Sequence, residues 1–218
     1  MTPQLVVDVW SDVVCPFCYL GQRHFRDALT RFEHATAVVV QRRAFELDPR
    51  APLTYPGSLD EMLAVKYSLP LTHAHALNQR VAEGARQLGM EWSMDAARPT
   101  NTFDAHRVIA LAATQGLADV MSERLFRAYF SEGHLLSDAP TLARLADEVG
   151  VRGVATTLAG DDFVDRVRQD EREASRRGIS GVPAFVMNGD VHVTGAQGAD
   201  VMLDALRRAW ARREEPVD

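Results

Sequence analysis

The sequence predicts an α/β protein in which an all-helical segment interrupts a domain built on a β-sheet. Two apolar runs near the start, residues 5–10 and 35–44, have the composition of buried strands, and an amphipathic helix separates them. Strand-like sequence returns at 184–194, and the long stretch between has helical spacing without a convincing strand. A strand–helix–strand order is typical of two parallel strands in one sheet. We therefore expect a sheet domain, split in sequence, that carries a helical insertion.

The predicted helical insertion domain spans residues 59–156, and residues 1–58 together with 157–218 form the sheet domain. Ser58 followed by Glu61 predicts a capping box at the start of the first inserted helix. The inserted helices are indicated by apolar residues at the spacing of one helix face. These stripes are Leu77, Val81, Ala85 and Leu88; Ala105, Val108, Ile109 and Ala112; Met121, Leu125 and Ala128; and Leu142, Leu145, Ala146 and Val149.

After the insertion the sequence predicts a helix, a hairpin and a last helix. The charged segment 161–177 ends at Gly178, a residue typical of the position after a helix. Asn188-Gly189-Asp190 predicts the turn of a β-hairpin. The last helix begins near residue 199, and its predicted apolar stripe runs to Trp210.

The composition of the chain argues against two kinds of partner, nucleic acid and membrane. The chain has 218 residues, is 46% hydrophobic and carries a formal charge of −6. A nucleic-acid surface needs a basic excess, and a membrane helix needs roughly 20 apolar residues in succession, so we expect neither nucleic acid nor membrane as a partner. The start of the chain lacks a basic leader region. We expect a cytoplasmic protein, in a compartment that keeps most thiols reduced.

Both cysteines of the chain lie in the motif Cys15-Pro16-Phe17-Cys18, at the turn from the first strand into the first helix. Proline suits the first helical position because its missing N–H has no intrahelical partner there. The N–H groups and the positive end of the helix dipole favour a thiolate at Cys15. The motif therefore predicts a redox dithiol in which Cys15 attacks and Cys18 resolves.

Two other interpretations of the cysteine pair remain open, half of a zinc site and incidental core cysteines. A tetrahedral zinc site needs two further ligands, and the chain has no third cysteine. His73 and His75 are the close histidine pair, and they lack the i, i+4 spacing of ligands on one helix face. We predict no metal site.

The combination of this motif with Gly181-Val182-Pro183 resembles the DsbA family, whose domain is thioredoxin-like. Further phrases are similar to the FrnE-like branch of that family, at residues 11–16, 101–107 and 195–197. Phe17 departs from the tryptophan usual in that branch. The resemblance covers nearly the whole chain. It implies a thioredoxin-like fold with a helical insertion, dithiol–disulfide exchange, and Pro183 as a cis-proline facing the cysteines.

Substrate-binding residues follow from the motif and from the resemblance. Pro16 and Phe17 lie between the cysteines, and the Val182 backbone is expected to pair with an extended substrate strand. His106 is a candidate proton acceptor, with a packed or surface histidine as the alternative. Asn101 is a candidate substrate contact, although capping a helix explains it better.

Three further features have ordinary alternatives. Asp12 is a candidate to buffer the buried thiol or to cap the helix, with a plain turn role as the alternative. His24 lies well past Cys18 on the helix, and we assign it no role. The start of the last helix, 198–200, offers N–H groups to a glutathione carboxylate, but ordinary helix entry explains it as well.

These observations predict a thiol–disulfide oxidoreductase or disulfide isomerase without a bound cofactor. Its partners are protein or small-molecule thiols and disulfides, with glutathione as a candidate co-substrate, and the chain acts as a monomer or homodimer. The alternative is a glutathione-dependent isomerase or transferase similar to kappa-class glutathione transferases or 2-hydroxychromene-2-carboxylate isomerases. Those enzymes usually carry serine at the first motif position, which argues against them here. A non-enzymatic, chaperone-like binder also stays open.

Overall fold

The computed structural model describes residues 4–212. In chain order, the structure has two strands with a helix between them, then a run of helices, and finally a β-hairpin and a last helix. They are β1 (Leu5–Ser11), α1 (Pro16–Thr30), β2 (Val38–Ala44), α2 (Leu59–Tyr67), α3 (Leu71–Gln87), α4 (Phe103–Thr114), α5 (Ala118–Phe130), α6 (Ala139–Glu148), α7 (Val154–Ala159), α8 (Val164–Arg176), β3 (Ala184–Met187), β4 (Val191–Thr194) and α9 (Ala199–Arg212), with short 3-10 turns at Ala35–Ala37 and Met94–Ala96.

The chain divides into two compact units. The described residues up to Leu47 and from Arg168 onward form the sheet unit, and Asp48–Val167 form the helical unit. The sequence placed the boundaries at 58/59 and 156/157 instead. Hydrogen bonds explain the difference at the first boundary, because the Leu53 carbonyl accepts from Thr100 Oγ1 at 2.8 Å and from Ser137 Oγ at 2.6 Å. The irregular segment before α2 therefore packs with the helices that follow it.

The sheet unit contains four strands in the order β2-β1-β3-β4. β1 and β2 are parallel, as the strand–helix–strand pattern predicts, and the pairs β1/β3 and β3/β4 are antiparallel. α1 and α9 pack on one face, where Phe25, Phe185 and Leu206 are among the buried residues of the main core. The α/β fold class predicted from the sequence is confirmed.

β2 differs from its prediction as a buried strand. It begins at Val38 rather than Ala35, because Ala35–Ala37 form a 3-10 turn. β2 lies at the edge of the described sheet, so one side of the strand has no neighbouring strand there. Six of its seven residues are therefore half-buried, and only Ala44 is buried.

α8 is fixed to the other face of the sheet by polar contacts around Asp170. Arg43 donates from Nε to Asp8 Oδ1 at 2.6 Å and from Nη1 to Asp170 Oδ1 at 3.1 Å. The second Asp170 oxygen accepts the Ala44 N–H at 3.2 Å, and the Asp170 carbonyl accepts Trp10 Nε1–H at 3.0 Å. This buried network holds the helix that precedes the Pro183 loop.

The helical unit contains α2–α7. Its predicted capping box is confirmed, with Ser58 and Glu61 exchanging side-chain and backbone hydrogen bonds. The stripes predicted for α4, α5 and α6 are largely buried. The α3 stripe is partly wrong, because Leu77 is 39% exposed and the helix instead buries small residues such as Ala74 and Ala82. Among the described residues, the helices are too short or too polar to cross a bilayer.

Candidate active site

The cysteine motif forms the first turn of α1. Cys15 is the N-cap residue and Pro16 is the first helical residue. The Cys15 carbonyl accepts the N–H groups of Cys18 at 3.1 Å and of Tyr19 at 3.3 Å. This is the strand-to-helix turn that the sequence predicts, and it places both sulfurs on the same end of the helix.

The two thiols lie in contact but in different surroundings. The two sulfurs are not joined in a disulfide, and the side chains hydrogen-bond to one another. Burial is the first cause that raises the pKa of the Cys18 thiol, and the hydrogen bond with Cys15 and the charge of Cys15 raise it further. Cys15 retains 4% exposure against 2% for Cys18, while neighbouring Phe17 is 51% exposed. Both sulfurs are thus buried, and burial favours the protonated form of Cys18.

The loop that contains Val182 and Pro183, directly before β3, lies next to Cys15. The Val182–Pro183 peptide bond is cis, as the resemblance implies. Cys15 Sγ lies 3.7 Å from the Val182 carbonyl oxygen, and the Pro183 carbonyl accepts the Gly195 N–H at 2.8 Å. Residues far apart in sequence thus meet at the dithiol.

Gly21 is a site residue that sequence reasoning missed. A Cβ at this position of α1 would lie 2.9 Å from Pro183 Cγ, closer than real Cβ atoms come. The absence of a side chain therefore lets α1 approach the Pro183 loop. The available signal was a glycine in a helix interior, where it costs roughly 0.5–1 kcal/mol relative to alanine and so suggests a packing reason.

Asp12 is also part of the site. It is 1% exposed, and its Oδ2 accepts the Leu47 N–H at 2.8 Å. Its backbone carbonyl accepts the Cys15 N–H at 3.0 Å, and its own N–H donates to Cys18 Sγ at 3.5 Å. The Asp12 side chain does not cap α1, since no side chain caps that helix.

Comparison with known proteins decides the family. The model of the DSBA-like thioredoxin domain matches residues 6–207. The chain belongs to the DsbA-like family. A crystal structure of a probable DsbA oxidoreductase from Streptomyces coelicolor superposes with a TM-score of 0.92 and 34% identity, covering 99% of this chain and 93% of that one.

Two further comparisons are informative. The uncharacterized protein YwbO of Bacillus subtilis is 28% identical over 92% of this chain and 94% of its own. The cytosolic disulfide reductase DsbM of Pseudomonas aeruginosa, solved with GSH, has a TM-score of 0.66 and 19% identity over 94% of this chain and 99% of its own. The thioredoxin-like fold is confirmed, and assignment to the FrnE-like branch stays a prediction.

The other predicted residues of this DsbA-like chain have local roles in the structure. In the helical unit, Asn101 Oδ1 accepts the Phe103 N–H at 2.9 Å, and Thr102 rather than Asn101 is the N-cap of α4. His106 is 3% exposed in the same helix. A contact of Asn101 or His106 with substrate stays a prediction.

In the sheet unit, Asp200 at the start of α9 accepts from Arg31 Nη2 at 2.7 Å. His24 is a half-buried residue of α1. A glutathione carboxylate at this end of α9 stays a prediction.

Among the described residues, one group of three side chains of the types that ligate metals lies close together. The ligand atoms of Asp60, His75 and Asp95 come within 4.8 Å of one another. His75 Nδ1 and Asp60 Oδ2 are 2.7 Å apart, so these two side chains already form a hydrogen bond. The group belongs to the helical unit and includes neither cysteine.

Proposed function

We propose that this DsbA-like protein is a thiol–disulfide oxidoreductase that reacts through Cys15 and Cys18. The proposal is carried by one observation, two hydrogen-bonded thiols in the first turn of α1 with burial retaining the proton on Cys18. The N-terminus of a helix stabilises negative charge, so the sulfur at the N-cap is the better placed of the two to react as a thiolate. Family membership supports the same reaction class.

In the reducing direction, the Cys15 thiolate attacks one sulfur of a substrate disulfide and expels the other as a thiolate, which takes up a proton. Cys18 then loses its proton and attacks Cys15 Sγ. This second step forms the Cys15–Cys18 disulfide and releases the substrate's second thiol. Two electrons pass from the protein to the substrate, and the reverse sequence oxidises a substrate dithiol.

The Val182 loop and Phe17 are the proposed substrate-binding surface. Phe17 follows Cys15 by two residues and is 51% exposed, and Cys15 Sγ lies 3.7 Å from the Val182 carbonyl oxygen. An extended substrate chain that hydrogen-bonds to the Val182 backbone would bring its sulfur to Cys15. Pro16 and Pro183 complete this surface.

We propose protein or small-molecule disulfides as substrates, glutathione as a co-substrate, and the cytoplasm as the location. The structurally similar DsbM is a cytosolic disulfide reductase whose structure was solved with GSH, which supports these choices. Glutathione regenerates the dithiol by two successive exchanges, forming glutathione disulfide. Fractionation of cells and a glutathione-coupled reductase assay test the two points separately.

Insulin reduction with single-cysteine variants tests the function. Cys15→Ser is expected to abolish turnover, because the sulfur proposed to attack the substrate is removed and Cys18 is buried. Cys18→Ser is expected to accumulate a mixed disulfide on Cys15, detected as a mass increase that a reductant removes. Unchanged turnover in Cys15→Ser would refute the proposal. Conversion of an electrophile by Cys18→Ser with glutathione would favour the isomerase or transferase alternative.

A further inference from the structure

Asp12 contacts both cysteines through its backbone, and its side chain is a buried carboxylate. Its carbonyl accepts the Cys15 N–H at 3.0 Å, and its N–H donates to Cys18 Sγ at 3.5 Å. The Leu47 N–H fixes the carboxylate at 2.8 Å, and the residue is 1% exposed. Water screens such a charge less than it screens a charge on the surface.

Besides burial, two ionisable groups affect the pKa of the Cys18 thiol. They are Cys15 and Asp12. Burial is the first cause that raises the Cys18 pKa, followed by the hydrogen bond and charge of Cys15, and the Asp12 charge raises it too. The hydrogen bond from the Asp12 N–H lowers the pKa of Cys18, by more than the Asp12 charge raises it. Once Cys15 carries a mixed disulfide, its sulfur is neutral. Asp12 is then the negative charge that still opposes a Cys18 thiolate.

We propose that Asp12 is a positioning residue that slows the resolving step: its buried charge adds to the effect of burial in keeping Cys18 in the thiol form and so prolongs the life of the mixed disulfide on Cys15. This inference rests on the proposed function. A longer-lived mixed disulfide gives a second substrate thiol time to reach the bound chain before Cys18 closes the intramolecular disulfide. Asp12 would thus bias the site towards substrates that carry several thiols, such as unfolded proteins.

The step that Asp12 controls is the attack of Cys18 on Cys15 Sγ. The Cys18 proton leaves, the new Cys15–Cys18 bond forms, and the bond from Cys15 to the substrate sulfur breaks. The departing thiolate carries the electron pair of that bond. Because the attacking species is the thiolate, the rate at a fixed pH depends on how much of Cys18 is ionised.

Asp12→Asn tests this role because it removes the charge while leaving the backbone N–H and an oxygen for the Leu47 N–H. Reduced protein is mixed with dithiobis-nitrobenzoate, an aromatic disulfide that releases one coloured thiolate when Cys15 attacks and a second when Cys18 resolves. The second phase is expected to be faster in Asp12→Asn, and its pH midpoint lower. A tenfold gain in the Cys18 thiolate fraction should accelerate it roughly three- to fourfold, since nucleophilicity falls as the thiol becomes more acidic.

Asp8→Asn is the matched control, because it removes another carboxylate from β1 that pairs with Arg43 instead of the dithiol. Its second phase should equal that of the wild type. A slower second phase in Asp12→Asn would make Asp12 a proton acceptor and overturn the proposal. If the rate and the pH midpoint of the second phase are the same in Asp12→Asn as in the wild type, Asp12 has only a structural role, and the proposal is overturned as well. Loss of both phases in the wild type would instead refute the proposed function.

A measurement on the unmodified protein keeps the inference testable if Asp12→Asn does not fold. The carboxyl carbon resonance of Asp12 should shift as Cys18 titrates in the reduced protein, with the same midpoint as the Cys18 Cβ resonance. An Asp12 signal that stays constant through the Cys18 titration would contradict the proposed interaction.

Discussion

Cys15 and Cys18 have the same chemistry but occupy different surroundings, and that difference sets the order of steps in the proposed reaction. The sequence predicts which cysteine begins the helix, because Pro16 marks the first helical residue. It does not predict how completely Cys18 is enclosed, since enclosure depends on side chains packed from distant parts of the chain. The contact of Cys15 with Val182 has the same origin, and only the family resemblance indicated it.

The raised Cys18 pKa predicts a loss of stability in alkali. Between the ordinary thiol value of 9.0 and the higher folded value, the folded state keeps a proton that the unfolded state has lost. The stabilisation that the Cys18 thiol contributes is fully present below pH 9.0. It is lost as the pH rises through the pKa of Cys18 in the folded state. For one proton the slope is at most about 1.4 kcal/mol per pH unit.

Denaturant unfolding of Cys15→Ser and of Cys15→Ser/Cys18→Ala at a series of pH values measures this contribution. Cys15→Ser cannot form an intramolecular disulfide. Cys18 stays buried in this variant, and burial is the first cause of its raised pKa. The free energy of unfolding of the single variant should fall relative to that of the double variant above pH 9.0. Parallel pH curves would show that Cys18 titrates normally in the folded state.

At the scale of elements, helices with large apolar residues were easier to predict than the edge strand or the alanine-rich helix. The stripes of α5 and α6 place Met121, Leu125 and Leu142 in the core, because large apolar side chains and helical spacing coincide there. In α3 the buried apolar residues are alanines, which spacing rules for large residues overlook. The position of β2 at the sheet edge depends on where β3 pairs, much later in the chain.

The contact between α1 and the Pro183 loop gives a prediction at this scale. Gly21→Ala places a methyl group 2.9 Å from Pro183 Cγ, a ring atom that cannot swing away. We expect a loss of roughly 1–3 kcal/mol of stability from overpacking. Disulfide-exchange activity should also fall, because the Val182 carbonyl moves away from Cys15. Thermal unfolding and the insulin assay measure the two effects.

Gly84→Ala is the control for this substitution. Gly84 lies inside α3, and a Cβ there would meet nothing within 4 Å. Alanine should therefore stabilise the helix by roughly 0.5–1 kcal/mol and leave disulfide exchange unchanged. Equal effects of the two substitutions would show that the α1 contact with Pro183 has no special importance.

For the whole molecule, the order of elements was predictable, whereas the boundaries of the units were not. Strands at both ends of the chain and helices between them follow directly from periodicity and turn residues. The irregular segment before α2 has no periodicity to assign it. Its place in the helical unit depends on hydrogen bonds such as those to the Leu53 carbonyl, which local sequence does not encode.

Reversible exchange between the Cys15–Cys18 dithiol and its disulfide is the reaction on which the proposed function depends most. Equilibration of the purified protein in glutathione buffers of graded potential, followed by alkylation and peptide mass spectrometry, measures this couple directly. We predict a single two-electron transition in which both cysteines change together, with a potential within the range of roughly −270 to −120 mV known for related dithiols. Cysteines that stay alkylatable across the whole series of buffers, or that pair only with glutathione, would contradict this function.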